Sequence, residues 1–135
     1  LQRPGSGARP GRGAVKAPPP IVLASILTDP ARRAALHWEP FREGIEVAWI
    51  YQHGDDGPAA AFLRYHPGAQ VPAHDHVAYE HILVLEGAQE DDNGRYGAGT
   101  VMISRPGSSH AVASPEGCLV LAFWERPVRF RNTEE

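Results

Sequence analysis

The chain has 135 residues and a formal net charge of −3, with 42% hydrophobic and 21% charged residues. These values fit one globular domain and exclude a disordered or collagen-like chain. A single cysteine, Cys118, excludes an intrachain disulfide and a multi-cysteine zinc cluster. The mild acidity gives no electrostatic footprint for nucleic acid or an anionic membrane, so we expect neither as a partner.

The charges divide the chain into two parts. Residues 1–20 carry four basic residues and no acid, and their glycine and proline content predicts a flexible tail. Residues 21–135 carry all 16 acids and are predicted to form a single domain. Lys16, in the tail, is the only lysine. Chemistry that needs a lysine is therefore excluded from the folded domain.

The sequence contains no segment that predicts membrane insertion. Its longest apolar runs, such as residues 118–124, have seven residues, whereas a membrane span needs roughly 18 or more. The N-terminus also lacks the apolar stretch of a secretory signal. We therefore expect a cytoplasmic protein, and the leucine at position 1 leads us to expect a trimmed or processed chain.

The first predicted elements precede residue 45. Residues 21–27 are interpreted as either a first strand or a docking segment. Asp29 followed by Pro30 predicts the N-terminus of a short helix, because an acceptor side chain caps the helix and proline fits its first position. This helix is predicted to run through Leu36 and to end by Pro40.

The remainder of the chain reads as short strands. Alternation of apolar and other residues begins at Ile45, and Asn93-Gly94 predicts a hairpin. Short strands separated by glycine- and proline-containing turns predict an all-β sandwich or barrel. The predicted strands are 45–51, 60–66, 76–85, 100–104, 110–114 and 119–124.

Four residues in the middle of the chain have the side chains of a metal site. His74 and His76 lie two positions apart, so on a strand they share a face, and Glu80 has the same parity if that strand continues. Two imidazoles and a carboxylate suit a divalent metal. His110, after the turn at residues 105–109, is the best candidate for a fourth ligand. The alternative is chance spacing among seven histidines.

The stretch from Gly68 to Gly87 resembles the first motif of the cupin superfamily at every defining position. That motif reads glycine, five residues, His-x-His, three residues, glutamate, six residues and glycine, and here it contains His74, His76 and Glu80. The finer resemblance, in residues 63–69 and 84–99, is to the cupin domains of zinc-binding anti-sigma factors. The same subgroup resembles small non-haem iron dioxygenases that cleave diketones and acyl-phenols.

The second cupin motif is matched less closely. Gly99, Gly107 and His110 fit it, whereas Arg105 stands where proline is expected and Ser114 replaces an asparagine. The two motifs together cover residues 68–114.

The resemblance implies a double-stranded β-helix, that is, a jelly-roll-like barrel, and commonly a homodimer. It also implies one metal ion held by His74, His76, Glu80 and His110. The outward face gives separate support for a dimer. If Glu80 and its same-parity neighbours face the interior, an apolar set faces outward and needs a covering layer or subunit. That set is Val77, Tyr79, Leu83 and Leu85.

Three further residues are candidates for the pocket wall. Arg64 is a charged residue within a predicted strand: it would bind a carboxylate or enolate if it points inward, and it is a solvated or interface charge if it points outward. Met102 and Trp124 would shape the pocket, with core packing as the alternative for each.

The metal site and the family resemblance lead to three candidate functions. The first is a mononuclear Fe(II) dioxygenase that cleaves a small enolisable carbonyl or phenolic substrate. For the bound metal ion itself Fe(II) is favoured, and Zn, Mn and Ni are the alternatives. The second is a non-enzymatic, metal-binding sensing or regulatory module. Non-redox isomerisation or hydrolysis is the third. Since the anti-sigma architecture implies a cysteine-bearing helical domain, and the first 60 residues contain no cysteine, we do not expect a direct anti-sigma role.

Overall fold

The computed structural model describes residues 17–131, so most of the predicted tail, residues 1–20, lies outside the described part. One helix, α1 (Pro30–Ala34), precedes the strands, and the predicted all-β fold with one short helix is confirmed. The ten strands are β1 (Glu39–Arg42), β2 (Ile45–Gln52), β3 (Ala59–Tyr65), β4 (Ala69–Asp75), β5 (Glu80–Asp91), β6 (Gly94–Gly97), β7 (Val101–Ser104), β8 (Ser109–Ser114), β9 (Cys118–Trp124) and β10 (Arg129–Phe130).

The long strand β5 belongs to two antiparallel sheets and joins them. Its first part, residues 80–87, pairs with β9, which continues through β3 and β2 to β1, while β7 pairs on its other side. Its last residues pair with β6 and β8, and β8 continues through β4 to β10. The result is the curled, jelly-roll sheet of a cupin.

Gly87 makes the passage of β5 between the two sheets sterically feasible. Its φ is +71°, and a bulge lies between Val84 and Glu86. A Cβ at position 87 would lie 2.1 Å from the Gly117 carbonyl oxygen and 2.8 Å from the Cys118 Cα. Both the backbone conformation and the close approach therefore require glycine.

The apolar side chains form one cluster inside the curled sheet and a second on its outer face. Alternate residues along β2, β3, β4, β5, β8 and β9 fill the interior, with Val84 and Val120 fully buried. The outer cluster is built on Phe62, Leu119 and Leu121. Segment 23–38 contributes Ile26, Leu36 and Trp38 to this outer cluster. The chain thus covers part of the outer face of its own sheet.

Arg33 fastens this segment to the sheet. It is only 4% exposed, and its Nη2 lies 2.7 Å from Glu86 Oε2 on β5. Its Nη1 donates to the Ile26 carbonyl at 3.0 Å. The guanidinium is nearly buried, and its bonds to a carboxylate and to a carbonyl compensate for the water that it loses.

The N-terminal predictions are partly corrected. Asp29 accepts from the Ala31 N–H at 3.0 Å and Pro30 opens the helix, as predicted. Residues 21–27 do not form the strand that was considered for them. Residues 24–28 form turns instead, and the Asp29 N–H donates to the Ser25 carbonyl. The helix ends at Ala34, before Pro40, which instead lies in β1.

The predicted strand over residues 76–85 is also wrong at its start. β4 ends at Asp75 and β5 begins at Glu80, so residues 76–79 form a connection. The predicted hairpin is present between β5 and β6, with Asp91 paired to Gly94 and Asp92-Asn93 as its loop. Gly94 therefore opens β6 instead of lying within the loop.

The outward face of β5 does not need a second subunit for all of its apolar residues. Leu83 and Leu85 pack in the outer cluster with the chain's own segment 23–38. Tyr79 remains 41% exposed. Within residues 17–131, no helix is long and apolar enough to span a membrane.

We predict that Gly87→Ala lowers the free energy of unfolding by about 3 kcal/mol or more, because it combines left-handed strain with overpacking against backbone atoms. The measurement is equilibrium denaturation in urea. Gly68→Ala is the matched control, since Gly68 has φ +89° but no heavy atom within 4 Å of its built Cβ. Equal losses in the two variants would show that the contact with Gly117 is unimportant.

Candidate metal centre and ligand cavity

The core of the site is a cross-strand pair of histidines. His74 on β4 lies directly opposite His110 on β8 in the antiparallel register, and their ring centroids are 4.8 Å apart. Side chains at opposed positions project to the same side of the sheet. Two histidines separated by 36 positions in the sequence are thus brought together by strand pairing alone.

His76 joins this pair from the connection that follows β4. Its N–H donates to the Ser108 carbonyl and its own carbonyl accepts from the Gly107 N–H, each at 2.8 Å. Its ring centroid is 5.1 Å from that of His74 and 4.8 Å from that of His110. The three residues offer nitrogen atoms that all lie within 4.8 Å of one another; we call them the histidine cluster.

Each ring of the histidine cluster is oriented by a hydrogen bond from Nδ1. The acceptors are the Pro72 carbonyl for His74 at 2.9 Å, Ser108 Oγ for His76 at 2.9 Å, and Asp91 Oδ2 for His110 at 2.8 Å. The Ser108 hydroxyl donates its hydrogen to the Arg105 carbonyl at 2.6 Å, so its Oγ accepts the hydrogen bond from His76 Nδ1. In the neutral rings Nδ1 therefore carries the proton, and Nε2 keeps the lone pair that a metal needs.

Glu80 begins β5 beside the histidine cluster. Its Oε1 lies 3.2 Å from His76 Nε2, and its Oε2 accepts a 2.6 Å hydrogen bond from the Trp124 indole. Burial would raise the pKa of Glu80, but His76 and the indole outweigh it and leave that pKa below its ordinary value. The buried carboxylate is thus held in its ionised form.

The histidine pKa values follow from the same surroundings. Burial, together with the neighbouring imidazoles, lowers the pKa of His74 and favours the neutral ring that binds metals. Burial also acts to lower the pKa of His76, but Glu80 and the Ser108 carbonyl outweigh it and raise that pKa.

The residues present fit a divalent ion. His76 Nε2 is fully buried and has no hydrogen-bond partner, because its short contact with Glu80 lacks hydrogen-bond geometry. A buried polar atom without a partner is costly, and an ion at this point would satisfy it. Three imidazoles with free Nε2 atoms and an adjacent carboxylate form a donor set suited to Zn, Fe, Mn or Ni.

Asp91 supports His110, and the sequence patterns do not single it out as a functional residue. Its side chain is 5% exposed and accepts from His110 Nδ1, from the Tyr96 hydroxyl at 3.2 Å and from the Asn93 N–H at 2.8 Å. These bonds hold its pKa below the ordinary value although burial acts in the opposite direction. Spacing alone carries no signal for this contact, which depends on the approach of β5 to β8.

A cavity of about 290 Å³ opens beside the histidine cluster, and its wall is mostly apolar. Met102 and Trp124 lie on this wall, as do His74, His110 and Glu80. Aromatic rings and aliphatic side chains with a few convergent polar groups are typical of small-molecule sites.

Arg64 does not line this cavity. Its Nε pairs with Glu46 at 2.9 Å and its guanidinium lies 4.2 Å over the ring of Trp38, on the outer side of the sheet. Arg64 therefore points outward, as the second of its two interpretations expects. The inward carboxylate-binding role is not available to it.

The sequence-predicted ligands meet, although not by the route predicted. His74, His76 and His110 form the histidine cluster, and Glu80 contacts one of them. Glu80 reaches this point through the non-strand connection of residues 76–79, not by continued strand parity.

A family model described as the ChrR cupin-like domain matches residues 29–128. The anti-sigma-E factor ChrR of Cereibacter sphaeroides is 34% identical over 100 residues, which cover 72% of this chain and 46% of that protein. The chain therefore spans about half the length of the curated relative that it matches.

Solved structures give the same picture of the fold. A chain in the crystal structure of Rhodobacter sphaeroides SigE in complex with the anti-sigma ChrR superposes with a TM-score of 0.60 at 29% identity, covering 67% of this chain and 50% of that one. An acetylacetone dioxygenase from Acinetobacter johnsonii gives a TM-score of 0.68 at 14% identity, covering 91% and 84%. The second likeness concerns the fold alone.

We predict that Asp91→Ala weakens metal affinity by about 10- to 100-fold, because His110 loses the acceptor that fixes its ring and its tautomer. Competition with a chelator of known affinity measures the change, and circular dichroism checks the fold. Asp92→Ala, at the exposed neighbouring position, is the control and should bind as the parent does. Unchanged affinity in Asp91→Ala would show that His110 needs no such support.

Proposed function

The chain belongs to the ChrR cupin-like family, and from this premise we propose that it is a metal-binding sensing domain. In this proposal His74, His76 and His110 hold one divalent ion, with Glu80 as the fourth protein ligand, beside a small-molecule cavity. The observation that carries it is the buried, unpartnered Nε2 of His76 among imidazoles whose Nδ1 atoms are all engaged.

The chain's own residues orient the ligands of such a centre. Pro72, Ser108 and Asp91 fix the three rings, so the ligand nitrogens are oriented before an ion arrives. Trp124 holds Glu80 by one oxygen and leaves the other toward His76. A bound divalent ion would act as a Lewis acid toward an oxygen of the cavity ligand.

The regulatory assignment is supported by the nature of the relative. ChrR of Cereibacter sphaeroides is an anti-sigma factor, and its likeness to this chain covers the cupin-like region. Because the match spans less than half of that relative, we limit the proposal to metal-binding sensing and do not extend it to action on a sigma factor.

A dioxygenase acting on a small enolisable carbonyl or phenolic compound is the second candidate. The observation that favours it is the opening of the mostly apolar cavity directly onto His74 and His110, which gives a small molecule access to the centre. Fe(II) is the metal for that function, whereas zinc suits a sensing role without redox chemistry.

We predict that the purified protein binds about one metal ion per chain and that His76→Ala loses this tight binding. Elemental analysis of the protein as purified and after anaerobic Fe(II) loading measures both. His66→Ala is the control, because His66 is exposed and pairs with Glu46 outside the histidine cluster. A full metal equivalent in His76→Ala would show that the ligand set is wrong.

The same samples separate the two candidate functions. Retained zinc with no oxygen uptake on 2,4-pentanedione or acyl-phenols supports the sensing domain. Iron-dependent oxygen uptake on one of these compounds would overturn it in favour of the dioxygenase.

We also propose that two copies associate through β7. Within the described chain this strand pairs only with β5, and its outward residues Val101 and Ile103 are 61% and 56% exposed. Phe123, on the same outer side across β5, is exposed as well. A one-sided strand flanked by apolar side chains is a ready surface for pairing.

We predict a dimer that Ile103→Glu converts to a monomer, because a carboxylate would be buried against its counterpart. Light scattering coupled to gel filtration gives the mass of each species. Val22→Glu, at an exposed apolar position before α1, is the control and should remain dimeric. A monomeric parent protein at every concentration would refute the dimer.

A further inference from the structure

Arg42, at the end of β1, lies on the wall of the cavity. Its guanidinium carbon is 4.3 Å from the ring centroid of Phe130, and that centroid is 5.5 Å from the His74 ring. One aromatic ring therefore links this cation to the histidine cluster. Stacking on Phe130 restricts the guanidinium while leaving its N–H donors unused.

The guanidinium of Arg42 has no ion-pair partner among residues 17–131. Most other arginines of this range do have one: Arg33 pairs with Glu86 and Arg64 with Glu46. A half-buried arginine that is stacked but unpaired retains its capacity to bind a planar anion.

The remaining charged groups of the cavity wall do not neutralise Arg42. Apart from the histidines, they are Asp55, on an exposed loop, and Glu80. Glu80 already contacts His76 and Trp124. In the part of the chain that the structure describes, Arg42 is thus the one arginine or lysine that lines the cavity.

The rest of the wall suits an apolar body. Phe41 and Trp49 stand edge to face with centroids 6.0 Å apart, and Trp49 lies 6.3 Å from Trp124. This row of rings extends to the indole that holds Glu80, so it runs along the cavity toward the centre. Aliphatic and aromatic walls lower the local dielectric and strengthen an ion pair made at their edge.

We propose that the cavity binds a small organic acid with an apolar body, and that its carboxylate pairs with Arg42. The proposal rests on the proposed function, because it names the ligand class of the same cavity. The guanidinium fork matches the two oxygens of a carboxylate, and the aromatic row takes the hydrocarbon part. The ligand's other end then faces the histidine cluster.

The test uses 3-phenylpropionate as the probe and its neutral amide, 3-phenylpropanamide, as the comparison. Calorimetric titration of the full chain, with metal content measured on each sample, should give about tenfold or more tighter binding of the acid. Acetate, which lacks the apolar body, should bind at least as weakly as the amide. Arg42→Gln should bind acid and amide alike.

Arg32→Gln is the matched control, because it removes the same charge from an exposed position on α1. It should keep the preference for the acid. Arg42→Lys provides a second variant, which retains the charge without the fork and should keep a reduced preference. If Arg42→Gln preferred the acid as strongly as the parent does, or if the parent bound acid and amide equally, the proposal would be overturned.

Failure of the Arg42 proposal can be distinguished from failure of the proposed metal centre. Acid preference in His76→Ala without metal would uphold the role of Arg42 even if metal binding played no part in ligand recognition. One metal per chain with no binding of 3-phenylpropionate would leave the metal centre standing and refute the ligand class.

Discussion

The antiparallel pairing of β4 with β8 is the constraint on which the site depends. It sets His74 opposite His110, and the turn before β8 supplies the Ser108 atoms that seat His76. A shift of one residue in this register would turn one of the paired histidines to the other face. Main-chain hydrogen bonds thus set the relative positions of the three histidines.

Strand β5 supplies both carboxylates of the site. Glu80 opens the strand beside His76, and Asp91 closes it beside His110. The bend at Gly87 lets one strand run in both sheets and reach both histidines. Two ionised carboxylates against three imidazoles favour the arrival of a cation in a mostly apolar setting.

Sequence patterns predicted the elements well where local chemistry decides them. The Asp29-Pro30 helix start, the β5–β6 hairpin and most strands have local signals, and the His-x-His spacing indicated the histidine cluster. The break between β4 and β5 at residues 76–79 was missed, because the same period-two spacing of side chains can run across a connection as well as along a strand. Asp91 and the stacking of Arg42 on Phe130 arise from tertiary pairing, which spacing does not encode.

Strand β5 contributes side chains to both the outer and the inner face of the domain. Arg33 of segment 23–38 grips Glu86, adjacent to the Gly87 bend, while Glu80 and Asp91 lie at the two ends of the same strand. The strand that segment 23–38 covers on the outer side is therefore the same strand that positions both carboxylates of the site. One strand thus contributes side chains both to the outer cluster and to the surroundings of the histidine cluster.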